Sequence, residues 1–163
     1  MSTPNDKMHV LKSSPLLTKS QFLTGPPCQK LLWWRVHEPD APELQIDEAT
    51  QLVLDHGRLV GGLARQRFPG GVSIDYEPWQ YQDRCQATRA ALKADASPIY
   101  EANFCENGVF VAVDVLERRR GGFSLVEVKS TTRQKPEHIA DVAIQLHVLQ
   151  AAGMDVRQSK SCT

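Results

Sequence analysis

Long apolar runs are missing from this sequence: no segment approaches the roughly 20 residues that a membrane-spanning helix needs. The stretch that follows Met1 also lacks the apolar block of a secretory signal. A membrane protein is therefore not expected, and a cytoplasmic address follows by default. Excess charge of one sign is missing too. Nineteen Lys and Arg balance nineteen Asp and Glu, so affinity for nucleic acid has to come from local patches and not from net charge. Cysteine is sparse and scattered. Cys28, Cys85, Cys105 and Cys162 form no C-x-x-C pair, which argues against a zinc ribbon or a compact disulfide framework and for reduced thiols. Internal repeats and low-complexity tracts are likewise missing.

What is present suits one globular domain. The 163 residues are 41% hydrophobic and 23% charged, enough for a single core and too few for two ordinary domains. We expect a loose tail over 1–14, a domain over 15–155 and a second tail over 156–163. Thr18 is placed to cap a short helix ending at Thr24, where Gly25, Pro26 and Pro27 break it. A second short helix over 28–36 gathers Leu31, Leu32, Trp33 and Trp34, which reads as a packing anchor. Over 47–67, Ala49, Leu52, Val53, Val60, Leu63 and Ala64 recur at helical spacing behind Asp47 as a cap. A short strand over 72–74 and a helix over 81–94 follow, the latter with Cys85, Ala91 and Leu92 inward. Three strand-like runs over 99–105, 109–117 and 123–129 form a meander, and a helix over 137–152 presents Val142, Ala143, Leu146 and Leu149 on one face, closed by Gly153. The fold class is α+β, with a central mixed sheet flanked by helices.

Chemistry concentrates in the meander. In the second strand, alternation sets Val111, Val113 and Val115 on one side and Ala112, Asp114 and Leu116 on the other, so Asp114 lies in an otherwise apolar run. In the third strand, Leu125, Glu127 and Lys129 share a face. Pairing of the two strands would bring Asp114 beside Glu127. Two close carboxylates resist joint ionisation unless a cation lies between them. Mg²⁺ or Mn²⁺ suits such hard oxygens, with the Val128 carbonyl as a further ligand and Lys129 placed to orient a water or stabilise developing charge. The same residues also describe an ordinary half-exposed strand with solvated charges. What favours metal chemistry is the order of parts: Asp strand, turn, Glu-x-Lys strand, helix.

In that order the sequence resembles a known family. Val111-Ala112-Val113-Asp114, followed by Leu125-Val126-Glu127-Val128-Lys129-Ser130, is similar to motifs II and III of PD-(D/E)XK nucleases. Asp141-Val142-Ala143-Ile144-Gln145-Leu146 resembles the glutamine motif of the RecB-like and CRISPR-associated exonuclease branch. Stretches like Leu17-Thr18-Lys19-Ser20, Cys28 to Trp33 and Phe68-Pro69-Gly70-Gly71 occur in the same order in uncharacterised bacterial proteins that join a RecB-like core to a domain of unknown function. The likeness runs from about Leu17 to Gly153.

The resemblance implies a restriction-endonuclease-like core and a Mg²⁺- or Mn²⁺-dependent deoxyribonuclease, active on DNA without sequence specificity and serving repair or defence. Asp114 and Glu127 would be metal ligands, Lys129 the catalytic lysine, and Gln145 a contact to the site or to DNA. Gln145 has a plainer reading as a cap at the helix–sheet junction, and Asp141 as the partner of a nearby Lys or Arg. Glu101 is expected to be solvated or to stand behind the ligands. Where the branch carries a histidine on its long upstream helix, this chain has Gly61, with His56 the nearest histidine. Cys28 resembles the first cysteine of an iron–sulfur cluster held by some members. Only Cys162 follows the core, so a cluster of that scheme is not expected here. An inactive or truncated nuclease-fold module, with a protein partner or a missing carboxyl-terminal domain, is the alternative. Arg118, Arg119 and Arg120 with Lys129, Arg133 and Lys135 are read as a basic rim near the site, or as a solvated turn.

Overall fold

The computed structural model describes residues 17–131 and 135–162. The expected tail over 1–14 and Arg133 lie outside these residues. The protein is a mixed α+β fold. A six-stranded mixed sheet contains β1 (Leu17–Thr18), β2 (Val72–Ser73), β3 (Ile99–Glu106), β4 (Val109–Arg119), β5 (Gly122–Val128) and β6 (Val156–Cys162). The helices are α1 (Lys19–Thr24), α2 (Gln29–His37), α3 (Glu48–Arg67), α4 (Tyr81–Lys93) and α5 (Pro136–Ala151). Among the described residues no helix is long and apolar enough to cross a membrane.

The meander follows from the turn chemistry. Asn107 and Gly108, both at positive φ, join β3 to β4, while Arg120 and Gly121, the latter also at positive φ, join β4 to β5. Such two-residue connections suit the right-handed twist of antiparallel strands. Thr18 caps α1 as expected, its hydroxyl accepting from Gln21 N while the Gln21 side chain accepts from Thr18 N, a reciprocal capping box. Asp47 caps α3 by accepting from Thr50 N at 2.7 Å. Gly153, at φ 78°, closes α5.

Within 156–163, expected to be a tail, Val156–Cys162 form instead the edge strand β6, parallel to β5, and Thr163 lies outside the described residues. Their polar run Arg157-Gln158-Ser159-Lys160 carries no apolar alternation because β6 is an edge, and charge there guards against further pairing. β5, α5 and β6 thus form a parallel βαβ unit with α5 packed against the sheet.

The main core lies between the sheet and α4 and α5, built from Ile99, Ala102, Phe104, Val111, Val113, Leu116, Leu125, Ile144, Val148 and Leu149. A second cluster, Tyr100, Val115 and Val126, lies apart from it. This division corrects the strict alternation expected for β4. Val115 leaves the side of Val111 and Val113, and Leu116 joins it. β3 slips in the same place, since Ile99 and Ala102 share the main core although three residues apart. The slip is centred on Glu101, which has φ 52°, and on Asp114 opposite it.

Two helices depart from expectation. On α5 the buried face is Asp141, Ile144, Gln145, Val148 and Leu149, with Val142 and Leu146 half-buried and Ala143 exposed. The face is rotated because it also serves the polar cluster described below. α2 buries no residue fully: Trp33 is half-exposed and Trp34 lies under Lys30, 4.6 Å from its ring centre. It leans on α1 at the periphery and does not anchor a core.

Candidate active site

The site lies in a gap along one edge of β4. On the opposite edge β3 pairs from Val109 to Leu116, passing over Asp114. On the near edge β5 pairs with Val115 to Arg119, β1 pairs with Val109 and Phe110, and residues 111–114 lie between them. The Asp114 carboxylate fills the gap, its Oδ2 accepting from Val128 N at 2.6 Å where a strand bond would otherwise form. The two segments bordering the gap supply the other groups. The end of β5 brings Glu127, Val128 and Lys129, and the residue following β1 is Lys19.

Glu127 is the hub. It receives Lys129 Nζ at 2.7 Å, Lys19 Nζ at 3.2 and 3.3 Å on its two oxygens, and Gln145 Nε2 at 2.7 Å. Asp141, one turn before Gln145 on α5, accepts from Gln145 Nε2 at 2.9 Å, pairs with Lys19 at 3.1 Å and receives Lys129 Nζ as well. Gln145 is 0% exposed. Its amide can point only one way, since reversal would set its oxygen against two carboxylates. The sequence-derived residues Asp114, Glu127, Lys129, Asp141 and Gln145 are therefore brought together, and Asp141 has its expected lysine partner.

Burial sets the electrostatics. Burial raises the Glu127 carboxyl above its ordinary pKa, with repulsion from Asp114 adding to it and Lys19 opposing. Asp114 is raised for the same first reason, against Lys19 and the Val128 hydrogen bond. For Lys129 burial alone would lower the pKa, but hydrogen bonds to Asp141 and Glu127 outweigh it and hold the ammonium above its usual value. In Lys19 burial is likewise overcome, here by Glu127, Asp141 and Asp114. Burial acts upward on Asp141, yet Lys19 and Lys129 bring it down to about 2.

Glu101 is not ordinarily solvated, contrary to expectation. It lines a cleft of about 580 Å³ together with Asp114, Val128 and the inner face of α3, and burial raises its carboxyl against the pull of Arg65 and Arg84. Its left-handed backbone is held by Asn103, whose side-chain amide donates to the Glu101 carbonyl while its main-chain N–H donates to the buried Thr88 hydroxyl at 2.8 Å. The inner face of α3 is Leu54, Gly57, Arg58, Gly61, Gly62 and Arg65. Gly61 does face the cleft, whereas His56 is exposed on the far side of α3 and takes no part in the site.

Geometry decides between the two readings of the β4–β5 turn. The arginines of the β4–β5 turn form no rim at the site: Arg119 lies five residues from Asp114, about 16 Å along the strand. Arg118 and Arg119 moreover pair with Asp95 at 2.9 Å and Glu117 at 2.6 Å. Cys28 is exposed and caps α2 through Sγ, which accepts from Leu31 N at 3.4 Å. Sequence reasoning missed Lys19 as a site residue. The signal was its place directly after the capping Thr18, but local pattern reads it only as the first residue of a short helix. The geometry that makes it central is the parallel pairing of β1 with β4, which is non-local.

No three His, Cys, Asp or Glu side chains among the described residues form a ready metal-ligand set. The converging oxygens are instead the carboxylates of Asp114 and Glu127, with the Val128 main chain beside them. Asp114, Glu127 and Asp141 set three carboxylates against two ammonium groups, with Glu101 at the edge. That surplus of hard, negative oxygen suits a divalent cation that keeps waters and substrate oxygens in its remaining positions. In comparison with known proteins, the chain matches no family model, no curated protein and no solved structure.

Proposed function

We propose that this chain is a metal-dependent nuclease of the PD-(D/E)XK type, with a restriction-endonuclease-like core, that hydrolyses phosphodiester bonds in DNA. The observation that carries the reading is the convergence on Glu127: Asp114 beside it, Lys129 two residues on, and Gln145 and Asp141 from α5 bonded to the same cluster. Asp114, Glu127 and the Val128 carbonyl would hold Mg²⁺ or Mn²⁺. The bound ion would acidify a coordinated water and offset charge on the attacked phosphate.

The remaining work falls to the chain's own residues. Lys129 is held cationic, so it acts as a hydrogen-bond donor that orients water or stabilises charge, and not as a general base. Gln145 and Asp141 fix Glu127 and Lys129 in place, and α5 supplies both from one buried face. Arg58 and Arg65 on the cleft wall offer phosphate contacts that carry no sequence information.

A second reading has its own observation. Both Glu127 oxygens already receive lysine, so the network is closed on itself, and Gly61 stands where the resembling branch has a histidine. This favours an inactive nuclease-fold module that binds DNA or a protein. Cleavage of labelled single- and double-stranded DNA, with Mg²⁺ or Mn²⁺ added, separates the two. Activity that falls at least ~10²-fold in both Glu127→Ala and Lys129→Ala is expected. No cleavage, with no metal uptake in calorimetry, selects the inactive module.

A further inference from the structure

A second cavity of about 500 Å³ adjoins the site on the other side of Lys19. Its walls carry the cations Lys19, Arg35 and Arg84, the hydroxyls of Thr18, Ser20 and Tyr81, and, among the described residues, no carboxylate. Lys19 is already paired with Glu127 and Asp141 behind the wall, so the charge left over is that of Arg35 and Arg84, which have no ion-pair partner among the described residues, and there an anion gains most. Its position relative to the cluster is fixed by shared residues. Lys19 lines the cavity and touches Glu127, the charge of Arg84 reaches Glu101, and Ala112 on the cavity wall lies two residues, about 7 Å, before Asp114 on β4.

The two arginines are held in place while keeping donors free. Arg35 Nη1 donates to Thr24 Oγ1 at 2.7 Å, which fixes the guanidinium, and among the described residues its other N–H groups have no partner. Arg84 stacks over Phe110, 5.3 Å from the ring centre, and makes one weak bond to the Pro78 carbonyl at 3.4 Å. Its Nε is buried and has no hydrogen-bond partner among the described residues. A phosphate oxygen is the acceptor a planar guanidinium fits best.

We propose that this cavity is a phosphate-binding subsite, formed by Arg35 and Arg84 with Lys19 at its inner wall, which takes a phosphodiester of a nucleic-acid strand next to the bond held at Asp114 and Glu127. The proposal rests on the nuclease reading for its substrate. The chemistry it needs, a bound phosphate group, does not depend on cleavage.

The test is binding, measured by fluorescence anisotropy with a labelled single-stranded DNA oligonucleotide and no divalent metal, over a series of salt concentrations. Arg35→Gln and Arg84→Gln are each expected to weaken binding roughly tenfold and to reduce the salt slope by about one phosphate contact. Arg118→Gln, at the distant β4–β5 turn, is expected to change neither. Arg84 packs on Phe110, so its variant is checked by thermal melting, and Arg35, on the exposed α2, carries the test if that variant does not fold. Unchanged affinity and slope in Arg35→Gln overturn the subsite. Tight binding of inorganic phosphate that the oligonucleotide does not displace overturns the strand as its ligand. If cleavage is never seen while these binding effects persist, the nuclease reading falls and the subsite stands. If cleavage occurs while binding is unaltered in both variants, the subsite falls and the nuclease reading stands.

Discussion

Helices α3 and α5 both flank the sheet, and they use their apolar residues in opposite ways. α5 buries Ile144, Val148 and Leu149 in the main core and, on the same face, Asp141 and Gln145 at the polar cluster. α3 buries only Ala64. Its leucines Leu52, Leu59 and Leu63 are 64, 69 and 61% exposed, while glycines and arginines face the cleft. A helical period reveals a stripe but not its direction. In α5 the stripe is mixed with polar residues because the core and the site share one face. In α3 the stripe is clean and points away from the sheet, because the inner face is kept open as the wall of a cleft.

The contrast is broken most forcefully in the core. Leu149 is fully buried, so Leu149→Ala removes packed methyl groups and leaves a cavity, at a cost of about 2–5 kcal/mol. Leu59→Ala, the same chemical change on the exposed stripe of α3, is expected to alter stability by no more than ~0.5 kcal/mol. Urea denaturation of the two variants reads the difference directly. Equal losses would mean that α3 packs its stripe against something in the folded protein.

The polar half of α5 gives a smaller, pH-dependent effect. Burial works against the Asp141 carboxylate, but Lys19 and Lys129 more than compensate and lower its pKa from 3.8 to about 2. A carboxylate whose folded pKa is depressed stabilises the protein above its unfolded pKa and loses that contribution as pH falls through the folded one. Asp141→Asn is therefore expected to cost roughly 2 kcal/mol at neutral pH. The deficit relative to wild type should shrink as pH drops from about 3.8 towards about 2. Glu127 and Asp114 have the opposite sign: their raised pKa values make the ionised forms the less favourable ones in the fold, and stability from protonating them is lost as pH rises. A deficit in Asp141→Asn that stays constant with pH would mean the two lysines do not depend on Asp141 for pairing.

The same contrast explains what could be read from the sequence. The meander was legible, because Asn107-Gly108 and Gly121-Gly122 punctuate three β-rich runs, and so was the placing of Asp114 beside Glu127, which needs only a hairpin. α1, α3 and α5 were legible as helices from their caps and spacing. What eluded pattern reasoning was non-local. β1 is two residues long, and only its pairing with β4 brings Lys19 to Glu127. β6 is a polar edge with no alternation to detect. The slip at Glu101 and Asp114 comes from one left-handed residue whose support, Asn103 and Thr88, spans two elements. For the same reason, pattern alone leaves Glu101 either solvated or behind the ligands.

The smallest expected effect tests whether the cleft beside α3 is open. Glycine inside a helix is less stable than alanine by about 0.5–1 kcal/mol, because it surrenders more backbone freedom on folding. Gly57 lies in the interior of α3 on the cleft wall, and a Cβ added there would meet nothing within 4 Å. Gly57→Ala should therefore stabilise the protein by about that amount, seen as a higher urea midpoint at unchanged slope. Gly71 supplies the contrast: a Cβ there would run into the Tyr100 ring and the Pro98 carbonyl, so Gly71→Ala should destabilise. If Gly57→Ala is also destabilising, α3 lies closer to the sheet in solution than the open cleft allows, and the inner wall of the site would be packed instead of accessible to a strand.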